Sequence, residues 1–173
     1  MMNQDQNLVV QTYISCCLTL ELTKNAFLTS DYFEKLPFGA PWVKEALRTV
    51  GVDNQGSLLM ALYAMLVVPK ELVGNTYASD YSSINDWIAS KALNTNTTYT
   101  KDIGRVDYIR HLRNSVAHAS VEFEPQSVVR FRDRNQRAGK IEEFSTELPL
   151  RNAGELLNKL QKVHIKYIET LPK

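Results

Sequence analysis

Cysteine is almost absent from this chain, and its two residues, Cys16 and Cys17, are neighbours inside an apolar run. Adjacent thiols fit neither a metal-ligand spacing nor a disulfide framework, and they read as small buried hydrophobes in a reducing compartment. Glycine and proline are also scarce, seven and six residues among 173, which leaves few breaks and excludes linker-like or fibrous architectures. An excess of one charge is missing too. With a formal net charge of +1, no bulk polycation draws the chain onto nucleic acid or an acidic membrane, and any such contact needs a local cluster. The longest apolar stretch, around Leu58 to Val68, falls short of the roughly 20 residues that a membrane span takes. Met1 to Gln6 hold Asp5 and no Lys or Arg, so a secretory leader is not expected and cytoplasmic residence is the default expectation. Gly-rich phosphate loops, metal-ligand clusters and a Ser-His-Asp order are lacking as well; neither cofactor nor metal is expected, and nucleotide hydrolysis of the usual kinds is unsupported.

What is present has the balance of a globular protein, 44% hydrophobic and 23% charged, with enough length for one core. A single domain over 1–173 is expected. From Leu8 to Leu28 apolar residues recur at helical spacing, as in Val9, Tyr13, Cys16, Leu20 and Phe27. Pro41 and Gly51 frame a short helix through Trp42, Ala46, Leu47 and Val50. Asp53 or Asn54 caps a third, which carries Leu58, Leu62, Met60, Met65 and Leu66 as core until Pro69. A fourth, capped by Ser82 or Ser83, packs through Ile84, Trp87 and Ile88. The Asn- and Thr-rich run Asn94 to Thr100 reads as a loop, and Thr100 as the cap of a fifth helix over about Lys101 to His118, with Val106, Ile109, Leu112 and Val116 facing inward.

After Ala119 the period changes from helical to alternating. Val121 and Phe123, Val129 and Phe131, then Phe144, Thr146 and Leu148 alternate with polar neighbours, as half-buried strands do. Asn135 to Gly139 supplies a turn, which predicts a β-hairpin with arms near Ser127 to Arg134 and Lys140 to Leu148. Asn152 and Glu155 have capping-box spacing ahead of a last amphipathic helix bearing Leu156, Leu160, Val163 and Tyr167. The fold class expected is mainly α, a bundle of about six helices with one β-hairpin inserted before the C-terminal helix.

The chemistry concentrates on the fifth helix, which reads Arg110-His111-Leu112-Arg113-Asn114-Ser115-Val116-Ala117-His118. At about 100° per residue, Asn114 and His118 lie one turn apart on one face, and Arg113 sits beside them with a long side chain. RNA cleavage by its own 2′-hydroxyl needs a base or acid near neutral pH and a positive group against the phosphorus oxygens; His118 is the candidate for the first and Arg113 for the second, with Asn114 either orienting the imidazole or holding the phosphate. The C-terminal end of a helix is its negative pole, so Arg110 and Arg105 are the neighbours expected to reverse the local sign.

The stretch from Arg110 to Ala119 resembles the signature of the HEPN superfamily, small helical proteins marked by Arg, four to six residues, then His, often with a polar residue after the Arg. It is most similar to the subfamily with a β-hairpin after the motif helix and an amphipathic helix at the end. That resemblance implies a metal-independent ribonuclease working as a homodimer, with two motif helices facing across a shared cleft. It implies products with a 2′,3′-cyclic phosphate and a 5′-hydroxyl, catalytic places for Arg113 and His118, and the adjacent polar place for Asn114. It further implies a toxin or phage-defence role beside an antitoxin partner. The alternative is a catalytically inactive module of the same fold that binds RNA, a nucleotide or a protein partner.

Arg130, Arg132 and Arg134 project from one face of a predicted strand, with Arg137 in the turn. Together with Arg110 they are the candidate RNA-backbone contacts. Cross-strand ion pairs with Glu143 and Glu147 are the competing reading. Two further histidines stand apart: His111, roughly 10 Å along the axis from His118, is too far to share a metal with it, and His164, between Lys162 and Lys166, reads as solvated. Glu21 on the first helix either braces Arg113 or faces water.

Overall fold

The computed structural model describes residues 1–125, 127–137 and 139–172, apart from the side chains of Lys70, Glu71 and Arg137. Helix α1 (Gln4–Lys24) begins with a capping box between Asn3 and Gln6. The short α2 (Asp31–Lys35) is capped by Ser30, and α3 (Pro41–Val50) has its proline in the first turn and ends at Gly51, φ 79°. Asn54 caps α4 (Gln55–Leu62), which runs on as a π-helical stretch, Tyr63–Val67, before Pro69 and the short α5 (Lys70–Val73). Helices α6 (Ala78–Lys91), α7 (Tyr108–Ala117) and α8 (Leu150–Glu169) complete the helical layer.

The sheet corrects the expected fold class. The chain is mainly α, but where one hairpin was expected there is a four-stranded antiparallel sheet ordered β1-β4-β3-β2. The hairpin is β3 (Val128–Arg137) and β4 (Lys140–Pro149), paired from Val128↔Pro149 to Arg137↔Lys140. β2 (Val121–Glu124) adds to β3, and β1 (Leu93–Thr97) adds to β4. The Asn-Thr run expected to be a loop is therefore largely an edge strand. Threonine suits a pleated surface, and polar cross-strand partners replace apolar packing: Thr95 Oγ1 lies 2.8 Å from Thr146 Oγ1, and Asn94 Nδ2 donates to Glu147 at 2.7 Å.

Several helix starts also differ. α6 begins at Ala78 rather than after Ser82 or Ser83, and α8 at Leu150, where Asn152 and Glu155 form no cap. α7 begins only at Tyr108: Thr100, expected as its cap, instead opens a separate 3-10 turn (Thr100–Asp102), and Asp107 caps α7 by accepting the Arg110 amide.

The core lies between the inner face of the sheet and the helices α7 and α8, with the π-helical stretch beside them. Leu112 and Val116 of α7 meet Leu156, Leu160 and Val163 of α8, Met65 and Leu66, and Phe131, Phe144 and Leu148 of the strands. α1 contributes little to it: Val9 is buried, Tyr13 and Cys16 are half-buried, and Leu20 is exposed. Ile14 and Leu18 are exposed as well, so the apolar stripe of α1 is only partly covered. Met60, expected in the core, is 67% exposed, while Met65 is buried. Phe27 joins Phe33 and Phe38 in a separate aromatic cluster beside α3.

His164 is a second correction: it is 1% exposed, packed inside α8 rather than solvated between its lysines. Burial lowers its pKa to about 4, only partly opposed by the backbone of Met65. A base depressed from 6.5 to about 4 takes up its proton in the unfolded chain first. Its contribution to stability is therefore full above pH 6.5 and is lost as pH falls toward 4. The loss amounts to on the order of 3 kcal/mol. His164→Leu is expected to flatten that part of the stability profile in urea unfolding from pH 7 to about 4.

Candidate functional site

Both ends of α7 are tied to other parts of the chain. At its C-terminal end the Ser120 amide donates to the Ser115 carbonyl at 2.8 Å and the Ala119 amide to Val116 at 3.2 Å, the two bonds of a Schellman motif with His118 as cap. The left-handed position falls on Ala119, φ 53°, where glycine is the usual residue. The next carbonyl, Ser120, accepts from the Arg132 amide of β3 at 3.0 Å. The turn that follows His118 is thus fixed to the sheet.

Further back on α7, His111 is fully buried between one acid on β3, Asp133, and one in the turn before α7, Asp102. Its Nδ1 lies 2.7 Å from Asp133 Oδ2 on β3, and its ring stacks on Phe144 at 4.1 Å with planes 7° apart. Since a carboxylate only accepts, Nδ1 is the donor. Nε2 is flanked by Asp102 Oδ2 at 2.9 Å and Arg110 Nη2 at 2.8 Å. Asp102 and Asp133 are 6% and 5% exposed. Burial works to raise the Asp102 carboxyl, but the Thr97 hydroxyl, His111 and the Arg110 charge outweigh it and hold the group below the usual carboxylate range. Tyr99 closes the cluster, and burial followed by the Asp133 charge pushes its phenol up to about 12.

Asp133 also accepts from Asn114 Nδ2 at 3.1 Å, and Asn114 Oδ1 in turn accepts from Arg113 Nη2 at 3.4 Å. The structure therefore brings Arg113 and Asn114 together. Arg113 is half-buried and opens onto a pocket of about 420 Å³ whose walls include Arg105, Arg110, Tyr81 and Asn85. His118 is exposed one turn beyond Asn114 and does not line that pocket.

Among the described residues, every other arginine has a carboxylate partner: Arg48, Arg105, Arg110, Arg130, Arg132, Arg134 and Arg151 are all ion-paired. Arg113 has only the Asn114 amide. The strand arginines meet Glu124 and Glu147 (Arg130), Glu122 (Arg132) and Glu143 (Arg134) across the sheet; the Arg137 side chain lies outside the described residues. Arg110 is taken up by Asp102 at 2.8 Å and sits over the Tyr99 ring. Glu21 pairs with Lys24 rather than reaching Arg113. Of the three histidines, His118 alone is exposed. Among the described residues, no group of three or more His, Cys, Asp or Glu is arranged to hold a metal ion, and no single helix is long and apolar enough to cross a membrane.

Sequence reasoning missed the acids. Asp133 occupies the inward slot of an alternating strand, after Val129 and Phe131, where a carboxylate signals a buried partner.

With this geometry in view, a match over residues 2–171 to the family model described as HEPN pEK499 p136 defines the class of protein, a HEPN-type helical module. The chain belongs to the HEPN pEK499 p136 family. No curated protein and no solved structure matches it.

The geometry predicts a sharp contrast in stability. Asp102→Ala strips the Arg110 guanidinium and the Thr97 hydroxyl of their buried acceptor and is expected to cost about 3 kcal/mol or more. Arg132→Ala breaks a pair whose side chains are 53% and 48% exposed and is expected to change stability by less than about 1 kcal/mol. Ala119→Gly relieves the left-handed backbone and is expected to gain about 0.5–1 kcal/mol. Urea unfolding of the three variants reads all of these.

Proposed function

We propose that this protein is a metal-independent RNA endonuclease of HEPN type, working as a homodimer in the cytoplasm. The observation that carries the reading is the state of the motif helix: Arg113 is the arginine without a carboxylate partner among the described residues, and His118, at the C-cap of the same helix, is the exposed histidine. A cation already neutralised by an acid has little left for a phosphate, whereas Arg113 offers its planar fork.

In the reaction, a 2′-oxygen attacks the adjacent phosphorus and the bond from phosphorus to the 5′-oxygen breaks. His118 takes the 2′-hydroxyl proton or supplies one to the departing 5′-oxygen. Arg113 balances the charge that builds on the non-bridging oxygens, and Asn114 keeps the guanidinium in place. The products are a 2′,3′-cyclic phosphate and a 5′-hydroxyl. Because His118 lies outside the pocket onto which Arg113 opens, a facing motif helix from a second copy would complete the second half of the proton transfer. A role as a toxin or phage-defence effector, held in check by an antitoxin-type protein, fits such an activity.

Labelled RNA incubated with the purified protein in excess chelator is expected to be cut, with His118→Ala and Arg113→Ala each lowering kcat by roughly a hundredfold or more. Both variants are expected to melt as the parent does, since neither side chain is in the core. Binding without cleavage in the parent would instead identify an inactive RNA-binding module, and a monomeric mass by light scattering would remove the shared cleft.

The strand arginines supply a separate test. If Arg132 leaves Glu122 for an RNA phosphate, Arg132→Ala weakens binding and reduces the dependence of log K on log salt by about one charge. An unchanged salt slope assigns the arginine to its ion pair.

A further inference from the structure

Outside the motif itself, the chemistry-bearing group with the most direct link to it is Asp133. One oxygen, Oδ2, accepts from His111 Nδ1 at 2.7 Å and from Asn114 Nδ2 at 3.1 Å. The two donors stand three residues apart on α7, the spacing that puts side chains on one helical face. The acceptor comes from a different element, β3, and is 5% exposed. Its backbone is in register with Phe144, the residue on whose ring His111 stacks. The neighbouring residue, Arg132, uses its amide to hold the Ser120 carbonyl just past His118. Two consecutive residues of one strand therefore fix the two regions of the motif, one through a side chain and one through the backbone.

The amide of Asn114 has two ends with different chemistry. With Nδ2 committed to a carboxylate, which only accepts, Oδ1 has to point the other way, and that oxygen is the one that receives Arg113 Nη2 at 3.4 Å. A flipped amide would set Oδ1 against Asp133 and offer the guanidinium an N–H donor. We infer that Asp133 is a positioning residue for Arg113: it fixes the orientation of the Asn114 amide, and through it the place of the guanidinium, while His111 fixes Asp133. This rests on the ribonuclease reading for its kinetic consequence, but the bond order from Asp133 to Asn114 to Arg113 stands without it.

The test is a double-mutant cycle on the intact protein. Asp133→Asn keeps the volume of the side chain, and Asn114→Ala removes the link. Each single variant is expected to lower kcat roughly ten- to a hundredfold, the scale of a misplaced reacting group, with KM changed far less. The double variant is expected to be no slower than the worse single one, since Asp133 acts through Asn114. Multiplying losses, or a kcat that Asp133→Asn leaves unchanged, would overturn the assignment. Asp133→Glu, which restores the charge but not the reach, is expected not to rescue. If the parent protein cuts no RNA, the ribonuclease reading fails, and the positioning is read by NMR instead. The Asn114 side-chain NH2 protons are then expected to be protected from solvent exchange in the parent and to exchange at least tenfold faster in Asp133→Asn. Equal exchange in the two proteins would overturn the inference independently of any activity.

Discussion

The structure depends on a buried imidazole set against carboxylates. His111 has no exposure, and a polar ring in such a place is tolerated only when its nitrogens are paired. Asp133 from β3 and Asp102 from the segment before α7 provide that pairing, and Thr97 and Arg110 in turn satisfy Asp102. None of these groups is stable in a closed interior without the others. The consequence is a helix whose rotation and height on the sheet are set by directional bonds rather than by aliphatic contact alone.

That constraint reaches the surface. The apolar residues of α7, Leu112 and Val116, pack against a core that would accept small rotations; a hydrogen bond of 2.7 Å to Asp133 does not. The same strand pins the end of the helix through Arg132, so the motif residues leave the body from a fixed base. Holding reactive side chains on rigid elements, with their neighbours locked by a surrounding hydrogen-bond shell, is what precise chemistry on a phosphate requires. The left-handed Ala119 beside His118 is a small strain kept at the same place.

Much of the helical frame was legible from periodicity and punctuation. Pro41, Gly51 and Asn54 mark helix ends where the structure has them, and the alternation from Val129 to Leu148 gave the hairpin its faces, although Asn135 to Arg137, expected in the turn, continue β3 and pair with β4. β1 escaped because Asn and Thr pair through side chains and backbone at a sheet edge and leave no apolar alternation to read. Ser82, Ser83, Asn152 and Glu155 had cap chemistry at positions where the helix was already under way, since packing of earlier residues extended α6 and α8 upstream. His164 misled because its lysine neighbours in sequence point away from it on the helix. For the motif, Arg113, Asn114 and His118 could be placed on one helix but not His111 among acids, because Asp102 and Asp133 are far from it along the chain and meet it only after the sheet forms. The acid in the inward slot of β3 was the signal available.

The most direct measurement of this account is the ring proton on His111 Nδ1, observed by nitrogen-edited NMR with the imidazoles labelled. A strongly downfield, slowly exchanging proton is expected, close in space to the Asn114 side-chain amide and absent once Asp133 is replaced by Ala. A His111 ring that exchanges with solvent as readily as that of His118 would show that the helix is not held to the strand in this way, and the orientation of the motif would lose its cause.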